Sequence, residues 1–122
     1  MRVIIAGSRS IKHGWMVSLA IKQARQQGID PIEIVSGGAK GVDTLAEQWA
    51  ARHDIPCQVM LADWDRYGRG AGMIRNRAMS EQAEALIAVW DGKSTGTEDM
   101  IRLMKQADKP VYVLRSDKDI EL

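Results

Sequence analysis

Three short stretches of this chain combine the residue types from which phosphate sites are built. They are Gly7-Ser8-Arg9-Ser10, Ser36-Gly37-Gly38-Ala39-Lys40-Gly41 and Asp91-Gly92-Lys93-Ser94-Thr95-Gly96-Thr97. Glycine has no Cβ to hold a ligand off the backbone. Where such a stretch opens a helix, unpaired N–H groups and the positive dipole end favour an anion. Gly7, Gly37, Gly38, Gly41, Gly92 and Gly96 are the candidate close-approach positions. Ser8, Ser36, Ser94 and Thr97 supply hydrogen bonds, while Arg9 and Lys40 supply charge. Arg75 and Asn76 follow a glycine-rich lead-in and are placed to reach a phosphate and a ribose or base. Asp43 and Asp91 suit a ribose hydroxyl, or equally a first-turn acid and a turn residue. Trp64 and Trp90 stand at strand ends, where an indole either stacks on a ligand or packs in the core. A single glycine-rich turn is weak evidence. The chemistry depends on whether the elements bring all three together.

Other chemistries find little support. His13 and His53 are isolated from any carboxylate or cysteine at ligand spacing, so no metal is expected. Neither Ser8 nor Ser36 has the Gly-x-Ser-x-Gly setting of an activated nucleophile. The lone Cys57 lies in a strand-like run, as a small core residue would, and no cofactor is implied.

The elements follow from periodicity. "RVIIA" (2–6) is an apolar, β-branched run ending at Gly7, as a strand buried on both faces should. Trp15, Leu19, Ala20 and Ala24 recur at helical spacing between Ile11 and Gln27, and Gly28 follows as a stop. A strand over 31–35 leads into a helix marked by Val42, Leu45, Ala46, Trp49 and Ala50, its tryptophan on the apolar face like Trp15. A strand over 56–62, a helix from about Ala71 to Ala85, a strand over 86–90, a helix to Ala107 and a strand over 110–114 complete the series. This order predicts an α/β fold: a Rossmann-like, three-layer α/β/α arrangement with a mainly parallel five-stranded sheet and four helices, in one domain over 1–122. Loops after the carboxyl ends of parallel strands share one edge, where open α/β sheets bind ligands. All three stretches fall on it. Only the last eight residues are expected to be loosely held.

At 122 residues, 45% hydrophobic and 27% charged, the chain is long enough for a real core. Its net charge of +1 is too small for a general polyanion footprint, although Arg66, Arg69, Arg75 and Arg77 crowd one stretch. There is no signal-like or membrane-spanning run, and the single cysteine suits a reducing compartment, so a cytoplasmic location is expected.

"IIAGSR", "SGGAKGVDTLAEQWA", "GRGAGMIRNRAM" and "ALIAVWDGKSTGT", in that order, make the chain resemble the SLOG superfamily, in particular its small YspA-related single-domain branch, from Val3 to about Val113. The resemblance implies a Rossmann-like sheet that binds nucleotides or nucleotide-derived molecules. It also implies a fork in function. The superfamily includes the Lonely Guy phosphoribohydrolases, the DNA-processing protein A family that binds single-stranded DNA, and sensor domains of antiphage systems that bind cyclic ADP-ribose-like signals.

The Lonely Guy pattern pairs a helical arginine with the glutamate of a Pro-Gly-Gly-x-Gly-Thr-x-x-Glu loop on the N-glycosidic bond of a nucleoside monophosphate. By this likeness the arginine is Arg75, but the glutamate position falls on Met100. Trp90-Asp91-Gly92 replaces Pro-Gly-Gly, with two additional residues before Gly96. Methionine can neither exchange a proton nor stabilise an oxocarbenium charge. Glu98 and Asp99 are nearby substitutes, yet Glu98 has capping-box spacing from Thr95 and Asp99 suits a first helical turn. The DNA reading rests on "SGGAKGVD" and the arginine stretch with Trp64 and Tyr67 beside it, against the near-neutral charge.

The expectation is a nucleotide-binding sensor or sequestering module for an ADP-ribose-type or cyclic nucleotide ligand. A phosphoribohydrolase using Arg75 and Glu98 comes second, and nucleic acid is the least favoured partner. A homo-oligomer, dimeric or of larger even number, is expected because Trp49 and several methionines offer more apolar surface than one thin sheet covers.

Overall fold

In the computed structural model, which describes residues 1–120, five strands form one parallel sheet: β1 (Arg2–Gly7), β2 (Glu33–Ser36), β3 (Cys57–Val59), β4 (Ala85–Trp90) and β5 (Val111–Arg115). Their order is β3-β2-β1-β4-β5, so the chain winds outward from β1 in one direction and then, through β4, in the other. Helices α1 (Gly14–Gln26) and α2 (Val42–Arg52) cover one face, and α4 (Ala71–Gln82) and α5 (Thr95–Gln106) cover the other.

Strand alternation builds the two layers. Val3, Ile5, Ile34, Ile87 and Val89 pack with Val17, Ile21 and Ala46 on the α1–α2 side. Ile4, Val35, Leu86 and Ala88 meet Met79, Met100 and Met104 on the α4–α5 side. Residues of β1 and β4 are therefore apolar on both faces, which is why those strands read as unbroken hydrophobic runs. Gly28, at φ +88, ends α1 in the left-handed conformation that a glycine stop supplies.

Several boundaries differ from the sequence expectation. β2 starts at Glu33, because Pro31 has no N–H and Ile32 faces solvent. β3 has three residues rather than seven: it is an edge strand, and beyond the Met60 N–H bond to the Ser36 carbonyl (2.8 Å) the chain leaves the sheet. α4 ends at Gln82, where Ala83 becomes extended to enter β4. A one-turn helix, α3 (Trp64–Tyr67), was not expected; Asp63 caps it by accepting the Arg66 N–H at 3.1 Å. The tail is held through Ile120, which packs on the core, while Arg115 N–H donates to Asp119 (2.8 Å). Glu121 and Leu122, the rest of the segment expected to be loose, lie outside the described residues. Trp49 is buried as expected, but Trp15 is 47% exposed. No helix among the described residues is long and apolar enough to cross a membrane.

Candidate functional site

The winding reverses between β1 and β4, and the carboxyl ends of these strands part into a crevice. There lies a cleft of about 770 Å³, at the position where open α/β sheets take their ligands and of a size usual for small-molecule sites. The end of β1 contributes Gly7, Arg9 and Ser10, and the loop into α2 contributes Ala39 and Asp43. Asp91 and Ser94 come from the loop into α5, with Thr95, Gly96, Thr97, Asp99 and Met100 from its first turns. Trp64, Arg69, Gly72, Arg75 and Asn76 complete the rim and far wall.

α5 opens directly on this space. Its N-cap, Ser94, makes no capping bond; the Ser94 hydroxyl lies 3.3 Å from that of Thr97. Glu98 N–H donates to the Ser94 carbonyl at 3.2 Å as the helical ladder begins. The N–H groups of Thr95, Gly96 and Thr97 precede it and have no helical acceptor. The capping box expected between Thr95 and Glu98 is not formed, because Thr95 is already the first helical residue. Glu98 is exposed and does not line the cleft, whereas Asp99 does.

Arg75 is drawn inward and tied to its surroundings. Its Nη1 donates to the Gly37 carbonyl at 2.5 Å and its Nε to Asn76 Oδ1 at 3.1 Å. Asn76 Nδ2 in turn donates to the Gly96 carbonyl (3.2 Å) and to Asp99 Oδ2 (3.1 Å). One chain of bonds thus links the β2 loop, α4 and the start of α5. Burial lowers the Arg75 pKa, with the charge of Asp43 acting against it, but a guanidinium remains protonated.

Asp43, only 6% exposed, accepts the Ala39 N–H at 3.2 Å. Burial pushes its carboxyl up to about 6; the Ala39 bond, Arg75 and Arg9 oppose the rise and Glu47 adds to it. A buried carboxyl displaced towards neutrality in a cleft is a functional-site signal. Asp91 behaves oppositely: N–H bonds from Ser94 (2.9 Å) and Lys93 (2.8 Å) hold its carboxyl below the usual range. Its own N–H donates to Ser8 Oγ at 3.0 Å, fixing the β4 loop to the β1 loop.

Several other expected site residues make contacts within the protein. Ser36 Oγ donates to Glu47 Oε2 at 2.7 Å. A Cβ at Gly37 would stand 2.7 Å from Arg75 Nη1, and one at Gly38 would strike Leu61. At Gly41, φ is +76 and a Cβ would lie 2.5 Å from the Ser8 carbonyl oxygen. The space that a Cβ would take at Gly37, Gly38 and Gly41 is thus bordered by Arg75, the Leu61 side chain and the Ser8–Arg9 backbone, and none of the three glycines lines the cleft. Lys40 is exposed and outside the cleft. Trp90 donates from Nε1 to the Ser94 carbonyl (3.0 Å) and lies under Arg115, which also packs on Gly92. Ser10, Arg69 and Asp99 also line the cleft; each had a signal in the sequence, Ser10 in the first glycine-rich stretch, Arg69 in the arginine-rich one and Asp99 as an acid near the Met100 position. No group of three or more potential metal ligands occurs among the described residues.

Comparison with known proteins bears on the family and the fold. The model of the family described as "YspA, cpYpsA-related SLOG family" matches residues 1–67. The Gene 61 protein of Mycobacterium phage D29 is 32% identical over an alignment of 116 residues that covers 90% of this chain and 93% of that protein. DNA processing protein A from Helicobacter pylori, solved in a study of its single-stranded DNA binding mode, superposes with a TM-score of 0.69 at 23% identity, over 95% of this chain and 66% of that one. The same protein from Streptococcus pneumoniae gives a TM-score of 0.67 at 19% identity, over 92% of this chain and 49% of that one. The chain thus spans less than two thirds of either solved structure, and what it shares with them is the fold.

Proposed function

Because the chain belongs to the YspA, cpYpsA-related SLOG family, we propose that its cleft binds the phosphate-bearing part of a nucleotide or nucleotide-derived signal, as a sensor or sequestering module. One observation carries this reading: the free first turn of α5 and three arginines, Arg9, Arg69 and Arg75, line a single cleft at the switch point. Helix-terminal N–H groups and arginines are the two standard means of neutralising phosphate. Native mass spectrometry of the purified protein tests it. A phosphate-bearing small molecule released on denaturation is expected. Ligand-free protein that also fails to bind AMP, cyclic nucleotides and ADP-ribose at millimolar concentration overturns the reading.

Hydrolysis of nucleoside monophosphates is the second reading. Met100 occupies the cleft floor where the family resemblance would require a carboxylate, and Asp99 Oδ2 is already held by Asn76. Free adenine should not appear from AMP at enzymatic rates. Release at ~1 per second or faster would reverse this ranking, and its loss in Asp99→Asn rather than Glu98→Gln would name the acid.

Single-stranded DNA binding is favoured by one feature of the rim: exposed Trp64 and Tyr67 alternate with Arg66 and Arg69, and Arg66 stacks on Tyr67 at 5.2 Å. Affinity for an oligonucleotide that collapses between low and moderate salt would support this reading, whereas a small ligand in a preformed cleft responds weakly.

Self-association is also proposed, through a surface other than the one the sequence suggested. Trp49, Met79, Met100 and Met104 are buried, while Met73 and Ile74 of α4 stay exposed. A dimer or larger even assembly is expected by light scattering at micromolar concentration, and a monomer would exclude it.

A further inference from the structure

Most of the cleft is suited to an anion, yet Asp43 stands in its wall. A phosphate set against a carboxylate is repelled, so whatever part of the ligand reaches Asp43 must bring hydrogen-bond donors rather than charge. Asp43 Oδ2 accepts the Ala39 N–H at 3.2 Å, and no other hydrogen bond reaches this carboxylate from the described residues. Its neighbours are occupied elsewhere: Arg75 Nη1 on the Gly37 carbonyl at 2.5 Å, and Ser36 Oγ on Glu47 at 2.7 Å. No arginine forms an ion pair with it among the described residues. At 6% exposure, the side chain is more than nine-tenths buried and has acceptor capacity without a protein donor. No buried side-chain oxygen among the described residues lacks a partner, so the Asp43 oxygen that the Ala39 N–H does not reach is open to the cleft and free to accept from a ligand.

Resting on the nucleotide reading above and deepening it, we infer that Asp43 accepts from the ribose hydroxyls of the ligand, so that the cleft selects ribonucleotides over 2′-deoxyribonucleotides. The sugar diol lies a few bonds from the phosphate that the α5 terminus and Arg75 would hold, and an acidic side chain is the usual acceptor for it in open α/β sheets. The base has a different destination. Trp64 is half-exposed at the rim, and its ring lies close over Gly72, where a Cβ would stand 3.4 Å from the indole. That leaves an aromatic surface for stacking rather than an acceptor for a base amine. Selection for the 2′-hydroxyl also sets this subsite against DNA.

The test is calorimetric titration of the whole chain with AMP, 2′-deoxy-AMP, IMP and ADP-ribose. AMP is expected to bind about ten- to a hundredfold more tightly than 2′-deoxy-AMP, the range of a hydrogen bond to a charged group. If only ADP-ribose binds, its 2′-deoxyribosyl analogue takes the place of 2′-deoxy-AMP. Asp43→Asn keeps an oxygen for the Ala39 N–H and should erase the preference. The wild-type ratio stands by itself should the variant fold poorly. Equal binding of AMP and 2′-deoxy-AMP overturns the inference but leaves the nucleotide reading intact. A preference that follows AMP over IMP and ignores the sugar assigns Asp43 to a base amine, and also overturns it. Failure of all four to bind overturns both.

Discussion

The loops after β2 and β4 have nearly the same composition, glycines among hydroxyls and a lysine, and the structure uses them in opposite ways. The β2 loop is closed on itself and its neighbours: Ser36 bonds Glu47, Ala39 bonds Asp43, and Gly37 and Gly41 are glycine because Arg75 and the Ser8–Arg9 backbone press against them. The β4 loop is anchored by Asp91 and Ser8, but it delivers the first turn of α5 to an open cleft, and nothing stands within 4 Å of a Cβ at Gly96. A missing Cβ makes room, and composition does not say for what. At Gly37 and Gly41 the room is taken by protein, as it is at Gly92 beside Arg115, whereas at Gly96 it faces the cleft.

The strongest way to break this contrast is Gly41→Val. The position combines φ +76 with backbone atoms of Ser8 and Arg9 at 2.5 and 2.7 Å from a Cβ. Left-handed strain in a non-glycine residue and a clash with main chain together should cost on the order of 3 kcal/mol or more. Urea unfolding checks it: the midpoint should fall sharply with little change in slope. Near-native stability would mean the closed loop has slack, and the distinction between the loops would fail.

Next in size is the pH dependence of the wall that the closed loop holds in place. Asp43 titrates at about 6 in the fold against an ordinary 3.8, mainly through burial, with Arg75 and Arg9 attracting its charge and Glu47 repelling it. Above pH 6 the folded state carries a buried carboxylate and is destabilised by ~3 kcal/mol relative to a neutral group. As pH falls through 6 towards 4, the folded state takes up a proton that the unfolded chain does not, and this penalty disappears. Asp43→Asn should therefore be more stable than wild type at pH 7, with the advantage fading by pH 4. Parallel curves across that range would show the carboxyl to be better solvated than its position implies.

Much of this contrast lay beyond the sequence for physical reasons. β1 and β4 were legible because strands buried on both faces read as unbroken apolar runs, and their end loops were placed with that of β2 on the ligand-binding edge; the switch point between β1 and β4 came only with the strand order. α3 was not, since four residues contain no period. The division between Glu98 and Asp99 depends on helical phase: one residue is about 100° of rotation, so knowing that α5 starts at Thr95 decides which acid faces the cleft. Ser10 and Arg69 reach the cleft through the backbone path of their loops, which residue type does not encode. The glycines were recognised as close-approach positions, but what approaches is a tertiary fact.

Arg75→Ala joins the two loops in one measurement. Removing its bonds to the Gly37 carbonyl and Asn76 should cost about 1–3 kcal/mol of stability. It should also weaken nucleotide binding about ten- to a hundredfold, if the guanidinium meets phosphate by a charge-assisted bond. Arg75→Lys keeps charge but not the fork, so it should recover part of the affinity and little of the packing. Stability loss with unchanged affinity would leave Arg75 as a strut between β2 and α4.

The smallest effect is the sharpest test of the open loop. Gly96 is the second residue of α5, its φ is not in the left-handed region, and a Cβ there would meet open space. Alanine is intrinsically better than glycine in a helix by ~0.5–1 kcal/mol, so Gly96→Ala should raise Tm by roughly 2–4 °C in the ligand-free protein. If the glycine is kept so that a phosphate can sit against the Gly96 and Thr97 N–H groups, the same methyl should weaken nucleotide binding while it stabilises the fold. Opposite signs in the two measurements would identify a position held open for ligand. Gains in both would mean that the start of α5 is open only to water, and the β4 loop would then differ from the β2 loop in packing alone.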